Sequence, residues 1–182
     1  LGAYLAPTVV KRLLSEGGAS NLSPKRATIT VLFVDVANYT ALSETLSPEV
    51  LTALTQDILS ELTQAVHDQA GTLDKYMGDA VMALWGAPLE QADHADRAIA
   101  CALDMQARIT KRHQEWQTRY HLPEAITVRI GINTGEVVVG EMGSMVRRTY
   151  TAIGDAVNVA ARLQEQAKIW QHPILLGEAS AR

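Results

Sequence analysis

Hydrophobic and polar positions follow two different periods along this chain, and the switches between them mark its elements. Residues 29–35, Ile-Thr-Val-Leu-Phe-Val-Asp, are apolar at nearly every position, which suits a central strand covered on both faces. Ser47-Pro48 then opens a helix, and the stripe Val50/Leu51, Leu54, Ile58, Leu62 and Val66 carries it to about Gln69, with Gly71 as its stop. Residues 73–76 and 80–85 predict a hairpin about Met77-Gly78. A second amphipathic helix spans 91–118 through Ala95, Ile99, Ala102, Met105 and Ile109. Residues 127–133 and 136–141 predict another hairpin, about Thr134-Gly135. A shorter strand at 149–153, a helix from Gly154-Asp155 to about Lys168 and a last strand at 174–176 complete the chain.

At the N-terminus, residues 7–15 predict a short amphipathic helix with Pro7 in its first turn. Residues 17–21, Gly-Gly-Ala-Ser-Asn, predict a linker that ends at Pro24-Lys25-Arg26. Either a frayed terminus or a segment that transmits a signal from an upstream domain accounts for this stretch. The order βαββαβ with additions predicts an α+β fold with a ferredoxin-like core and helices on one face of the sheet. The expected division is an N-terminal helix and linker over 1–27, joined to an upstream sensor or regulatory region, and a catalytic domain over 28–182.

Length and composition narrow the classes. The chain has 182 residues, 47% of them apolar, which suits one domain with a sizeable core. A net charge of −4 argues against a nucleic-acid partner, which asks for a basic face. The single cysteine, Cys101, excludes an internal disulfide. No apolar run approaches the roughly 20 residues of a membrane helix, and no signal peptide is visible. A cytoplasmic domain without membrane contact is therefore expected. The chain opens on Leu1 rather than Met, so a longer parent protein, which could be membrane-tethered elsewhere, is expected too.

Familiar nucleotide motifs are missing. Gly135 and Gly140 have the spacing of a phosphate loop, but Glu141 stands where lysine is required. No Gly-x-Gly-x-x-Gly occurs. His67, His94, His113, His121 and His172 lack metal-ligand spacing and read as surface or cap residues.

The candidate chemistry begins at Asp35. A carboxylate at the end of a buried strand is costly unless it is paired or binds a cation. The turn that follows, Val36-Ala37-Asn38-Tyr39-Thr40, leads into a helix whose free N–H groups can cradle phosphate. Asp35 as a cap of that turn explains the segment equally well. Asp79 likewise reads as ordinary turn chemistry or as a second acidic strand end; two such ends can hold two divalent ions. Under a Met77-Gly78 turn, Tyr76 and Asp79 face each other and Lys75 points to the opposite face, so one hairpin would serve two sites. Asp155, Asn158, Arg162 and Glu165 form one polar stripe on a helix. It is either a solvated face or a platform that sets Asn158 and Arg162, one turn apart, over a phosphoryl group.

Four ordered motifs together resemble the class III nucleotidyl cyclase catalytic domain. They are residues 31–36 with Tyr39-Thr40; residues 75–80, Lys-Tyr-Met-Gly-Asp-Ala; residues 129–135 with Gly140 and Gly143; and residues 150–163, Tyr-Thr-Ala-Ile-Gly-Asp-Ala-Val-Asn-Val-Ala-Ala-Arg-Leu. The resemblance covers about 28–178. It implies an adenylyl cyclase that converts ATP to cyclic AMP and pyrophosphate, by in-line attack of the ribose 3′-OH on the α-phosphorus. It implies two Mg²⁺ or Mn²⁺ ions per site on Asp35, Asp79 and the Val36 carbonyl. It gives Arg129 the phosphates, with Tyr39 and Thr40 beside them, Lys75 and Thr151 the adenine, Asn158 the ribose and Arg162 the transition state. The family's sites lie between two chains, so a homodimer with two shared sites is implied. Thr151 stands where many adenylyl cyclases have Asp and resembles a bacterial subset, some of whose members respond to bicarbonate or CO₂. Guanylyl cyclases have Glu and Cys at the positions of Lys75 and Thr151, so adenine is favoured. The family's C-terminal hairpin, with its phosphate-binding lysine, is not found before Arg182. A catalytically silent nucleotide-binding domain, a guanylyl cyclase and a diguanylate cyclase are the rivals; the last needs a Gly-Gly-Asp/Glu-Glu-Phe-like hairpin, which residues 77–80 are not.

Overall fold

Strand β1 (Lys25–Val36) is the axis of a six-stranded sheet. The computed structural model describes residues 7–16 and 22–182, so the predicted 17–21 linker lies outside the described residues. Helix α1 (Pro7–Ser15) forms where it is expected. After β1 come α2 (Tyr39–Thr45), α3 (Pro48–Asp68), β2 (Thr72–Met77), β3 (Ala80–Trp85), α4 (His94–Tyr120), β4 (Val128–Gly143), β5 (Arg148–Ile153), α5 (Asp155–Trp170) and β6 (Ile174–Leu176). The strands run in the order β2-β3-β1-β4-β5, with β6 parallel to β4. Its first four members have the ferredoxin-like arrangement that βαββαβ predicts.

The helices lie on both faces, which corrects the one-face expectation. Side chains alternate across a strand. Leu32, Val34 and Val36 of β1 pack with Leu54, Ile58 and Leu62 of α3 and with Ala98, Ala102 and Met105 of α4. Ile29 and Val31 belong to a second cluster with Met82, Leu84, Val137, Val139 and Ala160 of α5. The two core-repeat helices therefore share one face, and the added helix α5 covers the other.

The predicted turn at Thr134-Gly135 does not exist. Strand β4 runs unbroken through it, with Thr134 paired to Thr30 and Gly135 to Ile29 of β1. The reversal comes later, where Gly143 pairs with Arg148. Glycine serves helix packing here. A Cβ on Gly135 would lie 2.6 Å from the Ala156 Cβ, and one on Gly131 would lie 2.3 Å from the Gln164 nitrogen and 2.5 Å from the Ala160 oxygen. Because β4 is so long, β1 finds partners from Lys25 onward, so the ladder begins inside the segment read as the end of the linker.

The β2–β3 turn is Gly78-Asp79, since Met77 pairs with Ala80 and Tyr76 with Val81. This shifts the expected turn by one residue, and Asp79 does not face Tyr76. Gly78 takes φ 64°, the left-handed region that costs glycine nothing. A bulge between Leu73 and Lys75 leaves Asp74 without a partner on β3.

Polar groups inside the α4 face form a chain. His94 Nδ1 lies 2.6 Å from Thr30 Oγ1, Thr30 Oγ1 2.8 Å from Thr134 Oγ1, and Thr134 Oγ1 2.8 Å from Ser180 Oγ. His94 is thus half-buried and engaged, not a surface residue, and His67 and His113 each bury a ring nitrogen. His121, a left-handed C-cap of α4, fits the cap reading.

Gly131→Ala tests the α5 packing. The added methyl meets backbone, which cannot rotate away, so unfolding in urea should show a loss of about 2 kcal/mol or more. A change within about 0.5 kcal/mol, as for ordinary surface substitutions, would contradict this docking.

Candidate active site

Asp35 and Asp79 converge on one cavity of about 520 Å³ at the end of the sheet. Asp35 closes β1, and Asp79 is carried there by the β2–β3 turn. The Val36 N–H donates to Asp79 Oδ2 at 3.1 Å, which fixes the turn against the end of β1. Arg129 stands opposite Asp35 in the β1–β4 register and lines the same cavity, as do Val36, Tyr39 and Thr40. The Tyr39 hydroxyl lies 3.0 Å from Thr55 Oγ1, so part of its duty is to hold α2 on α3. The turn into α2 is made by Asn38 at φ 57°.

Three residues at the sites escaped the sequence reading. Gln164 and Lys168 of α5 line the cavity, one turn apart, and the Gln164 side chain approaches Asp35. They reach it because α5 lies so close to Gly131. Asp74, the third, belongs to a second cluster.

The charge balance of the cavity suits a cation. Burial pushes the Asp35 carboxyl above its ordinary range, the Gln164 side chain opposes this, and the Asp79 charge adds to it. Arg129 and Lys168 pull it down only in part. Asp35 Oδ1 is buried with no partner. An orphaned carboxylate oxygen beside a second carboxylate is a donor set for a hard cation. No group of three metal-binding side chains occurs among the described residues. Mg²⁺ does not need one, since it is held by one or two carboxylates with substrate phosphates and water.

Lys75, Thr151, Asn158 and Arg162 line none of that cavity. Three strands separate β5 from β2 in the sheet order, yet their side chains meet. There the Thr151 hydroxyl donates to Asp74 Oδ2 at 2.6 Å, and Lys75 Nζ lies 3.7 Å from Asp74 Oδ1. The Asp74 side chain is 2% exposed and Lys75 50%, so the buried carboxylate sits beneath a cation that faces solvent. Burial pushes the Asp74 carboxyl up; the Thr151 hydroxyl, the Lys75 charge and the Ala152 N–H pull against it. Asn158 and Arg162 are exposed on α5, and Arg162 Nη2 lies 3.4 Å from Asp155 Oδ1. The expected residues therefore form separate groups within one chain.

Comparison with known proteins gives this division a context. Residues 22–174 match the family model described as the adenylate and guanylate cyclase catalytic domain. Adenylate cyclase 1 of Rhizobium meliloti is 34% identical over 97% of the chain. The chain spans 26% of the length of that curated relative. Among solved structures, the adenylyl cyclase CyaB from P. aeruginosa superposes with a TM-score of 0.80 at 33% identity, covering 87% of this chain and 81% of that one. The guanylyl cyclase Cya2 superposes at 0.74 with 36% identity, covering 78% and 71%.

Thermal melts test the cation reading of the cavity. Mg²⁺ or Mn²⁺ with a nonhydrolysable ATP analogue should raise the wild-type midpoint, by about 2.7 kcal/mol of stability at a hundredfold excess over Kd. Asp35→Asn should lose the metal-dependent part of that gain, yet melt no lower than wild type in chelator, because it removes a charge that burial and Asp79 disfavour. A variant that keeps the full metal-dependent gain would contradict the assignment.

Proposed function

This chain belongs to the adenylate and guanylate cyclase catalytic domain family, and from that membership we propose that it converts ATP to 3′,5′-cyclic AMP and pyrophosphate at sites shared between two copies. The observation that carries the reading is the buried, unpartnered Oδ1 of Asp35 beside Asp79. These two carboxylates, with the Val36 carbonyl, would hold two Mg²⁺ or Mn²⁺ ions. When bound, such ions acidify an attacking hydroxyl and neutralise a leaving phosphate.

The chain's own residues do the rest. Asp35 and Asp79 set the reacting end of the nucleotide at the floor of the cavity. Arg129, and Lys168 at the mouth, offer charge to the phosphates, Arg129 through a planar fork that matches their oxygens. Tyr39 and Thr40 shape the wall beneath the triphosphate. On the second copy, Lys75 Nζ donates to adenine N1, and the Thr151 oxygen accepts from the N6 amino group. Asn158 orients the ribose. Arg162, exposed and free to swing from Asp155, spreads its charge over the phosphoryl oxygens as they gain charge.

The separation of the two residue groups in one chain supports a shared site. A two-fold dimer brings each group opposite the partner's other group and makes two equal sites. The Thr151 resemblance extends the proposal to bicarbonate or CO₂ as a regulator, which a bicarbonate titration of turnover would reveal. An upstream sensor domain is part of the same proposal. No helix among the described residues is long and apolar enough to cross a membrane.

Turnover with Mn²⁺-ATP tests the metal ligands. Asp35→Ala and Asp79→Ala should each lose roughly a hundredfold or more, beyond what the loss of a supporting hydrogen bond costs a metal site. Near-normal rates in both would sink the assignment.

Mixing tests the shared site. Inactive Asp35→Ala and Arg162→Ala chains should restore about a quarter of wild-type activity once they exchange, since half the dimers are mixed and each has one intact site. No restored activity in verified mixed dimers would mean that each chain builds its own site.

Base choice is the third test. ATP should be preferred over GTP by about tenfold or more in kcat/KM, because guanine reverses the donors and acceptors that Lys75 and Thr151 meet. Lys75→Glu with Thr151→Cys should weaken or invert that ratio. An unchanged ratio in an active double variant would exclude these residues as base readers.

A further inference from the structure

The strongest unassigned feature is Asp74, a carboxylate buried at 6% exposure that the cyclisation chemistry does not use. We propose that Asp74 is a specificity-determining positioning residue: it takes the Thr151 proton, so that Thr151 meets the nucleobase as an acceptor only. The inference rests on the adenylyl cyclase reading above and names how that site tells one base from another.

A threonine hydroxyl has one proton and two lone pairs, so alone it can donate to guanine O6 as readily as it accepts from the adenine amino group. An ionised carboxylate only accepts. Thr151 lies 2.6 Å from Asp74 Oδ2 and must give its proton there. Its free lone pairs then accept and cannot donate. The adenine N6 amino group satisfies them; guanine O6 sets an oxygen against an oxygen.

The backbone is built to hold this arrangement. The bulge between Leu73 and Lys75 removes Asp74 from the β2–β3 register. A regular strand would keep it there, facing away from its neighbours Leu73 and Lys75. Strand β5 thus brings the Thr151 hydroxyl to the carboxylate across the sheet. Lys75 Nζ, 3.7 Å from Asp74 Oδ1, supplies an opposite charge that favours the ionised carboxylate against its burial. One buried group thereby sets both base-reading side chains, the cation that donates to N1 and the hydroxyl that accepts from N6. Neither Lys75 nor Thr151 alone defines the choice.

The test uses the purified chain with Mn²⁺ and reads ratios of kcat/KM, which a merely structural role would not move. Asp74→Asn keeps the size of the side chain but can donate as well as accept. It should therefore release the Thr151 proton and bring the ATP/GTP ratio down by about tenfold or more. A folded, active Asp74→Asn chain with the wild-type ratio would overturn the proposal.

A second measurement needs no variant. N6-methyl-ATP and the triphosphate of 6-methoxypurine riboside have the same bulk and the same N1 acceptor, but only the first offers an N–H at position 6. The wild-type chain should use N6-methyl-ATP better by about tenfold. Equal use would overturn the proposal even if Asp74→Asn fails to fold. If ATP gives no cyclic product at all, the catalytic reading falls. The affinities of the same two analogues, measured by calorimetry, then decide the Asp74 inference separately: a tighter N6-methyl analogue supports it and equal affinities overturn it.

Discussion

The close approach of α5 to β4 is the constraint on which the rest depends. At Gly131 a helix backbone lies where a side-chain carbon would stand, 2.3 Å from the Gln164 nitrogen. Gly135 makes room for the Ala156 Cβ, about two helical turns before Gln164. Two glycines on one face of a strand fix both the distance and the rotation of α5. That rotation sends Gln164 and Lys168 to the Asp35 cavity and leaves Asn158 and Arg162 in solvent. A helix held one residue differently would break both groups together.

The electrostatics follow from that packing. Asp35 is half-buried among the elements that assemble the cavity, and Asp79 is tied to β1 by a backbone N–H. In the proposed reading, a metal–triphosphate complex supplies the positive charge that Asp35 still lacks beside Arg129 and Lys168. At Asp74 the reverse holds. That carboxylate is engaged within the chain by Thr151 and Lys75. In the inference drawn above, its charge orients those neighbours. One carboxylate keeps an oxygen without a partner, and the other is engaged within the chain.

The strands and helices with a strong period were legible in the sequence. β1, α3, α4 and α5 lie close to where their apolar patterns put them, since burial on one or two faces imposes the period directly. The errors fall on glycine. Thr134-Gly135 has the composition of a turn, yet Gly135 serves close packing; nothing local separates these uses, because the distinction lies in a helix twenty residues away. The Met77-Gly78 turn was off by one for a related reason, since either neighbour of Gly78 can complete a two-residue turn. Asp35, Asp79, Lys75, Thr151, Asn158 and Arg162 were visible as members of ordered motifs. Asp74 and Gln164 were not: one owes its place to a bulge, the other to the Gly131 contact, and no residue type announces either. The placement of helices on both faces was hidden as well, because α5 stands outside the βαββαβ repeat.

The central claim is that one catalytic site needs two copies of this chain. Specific activity against protein concentration tests it most directly, with the dimer fraction followed in parallel by sedimentation. With a shared site, activity per chain rises with concentration and levels off along the same curve as the dimer fraction. Activity per chain that stays constant down into the monomer range would contradict it.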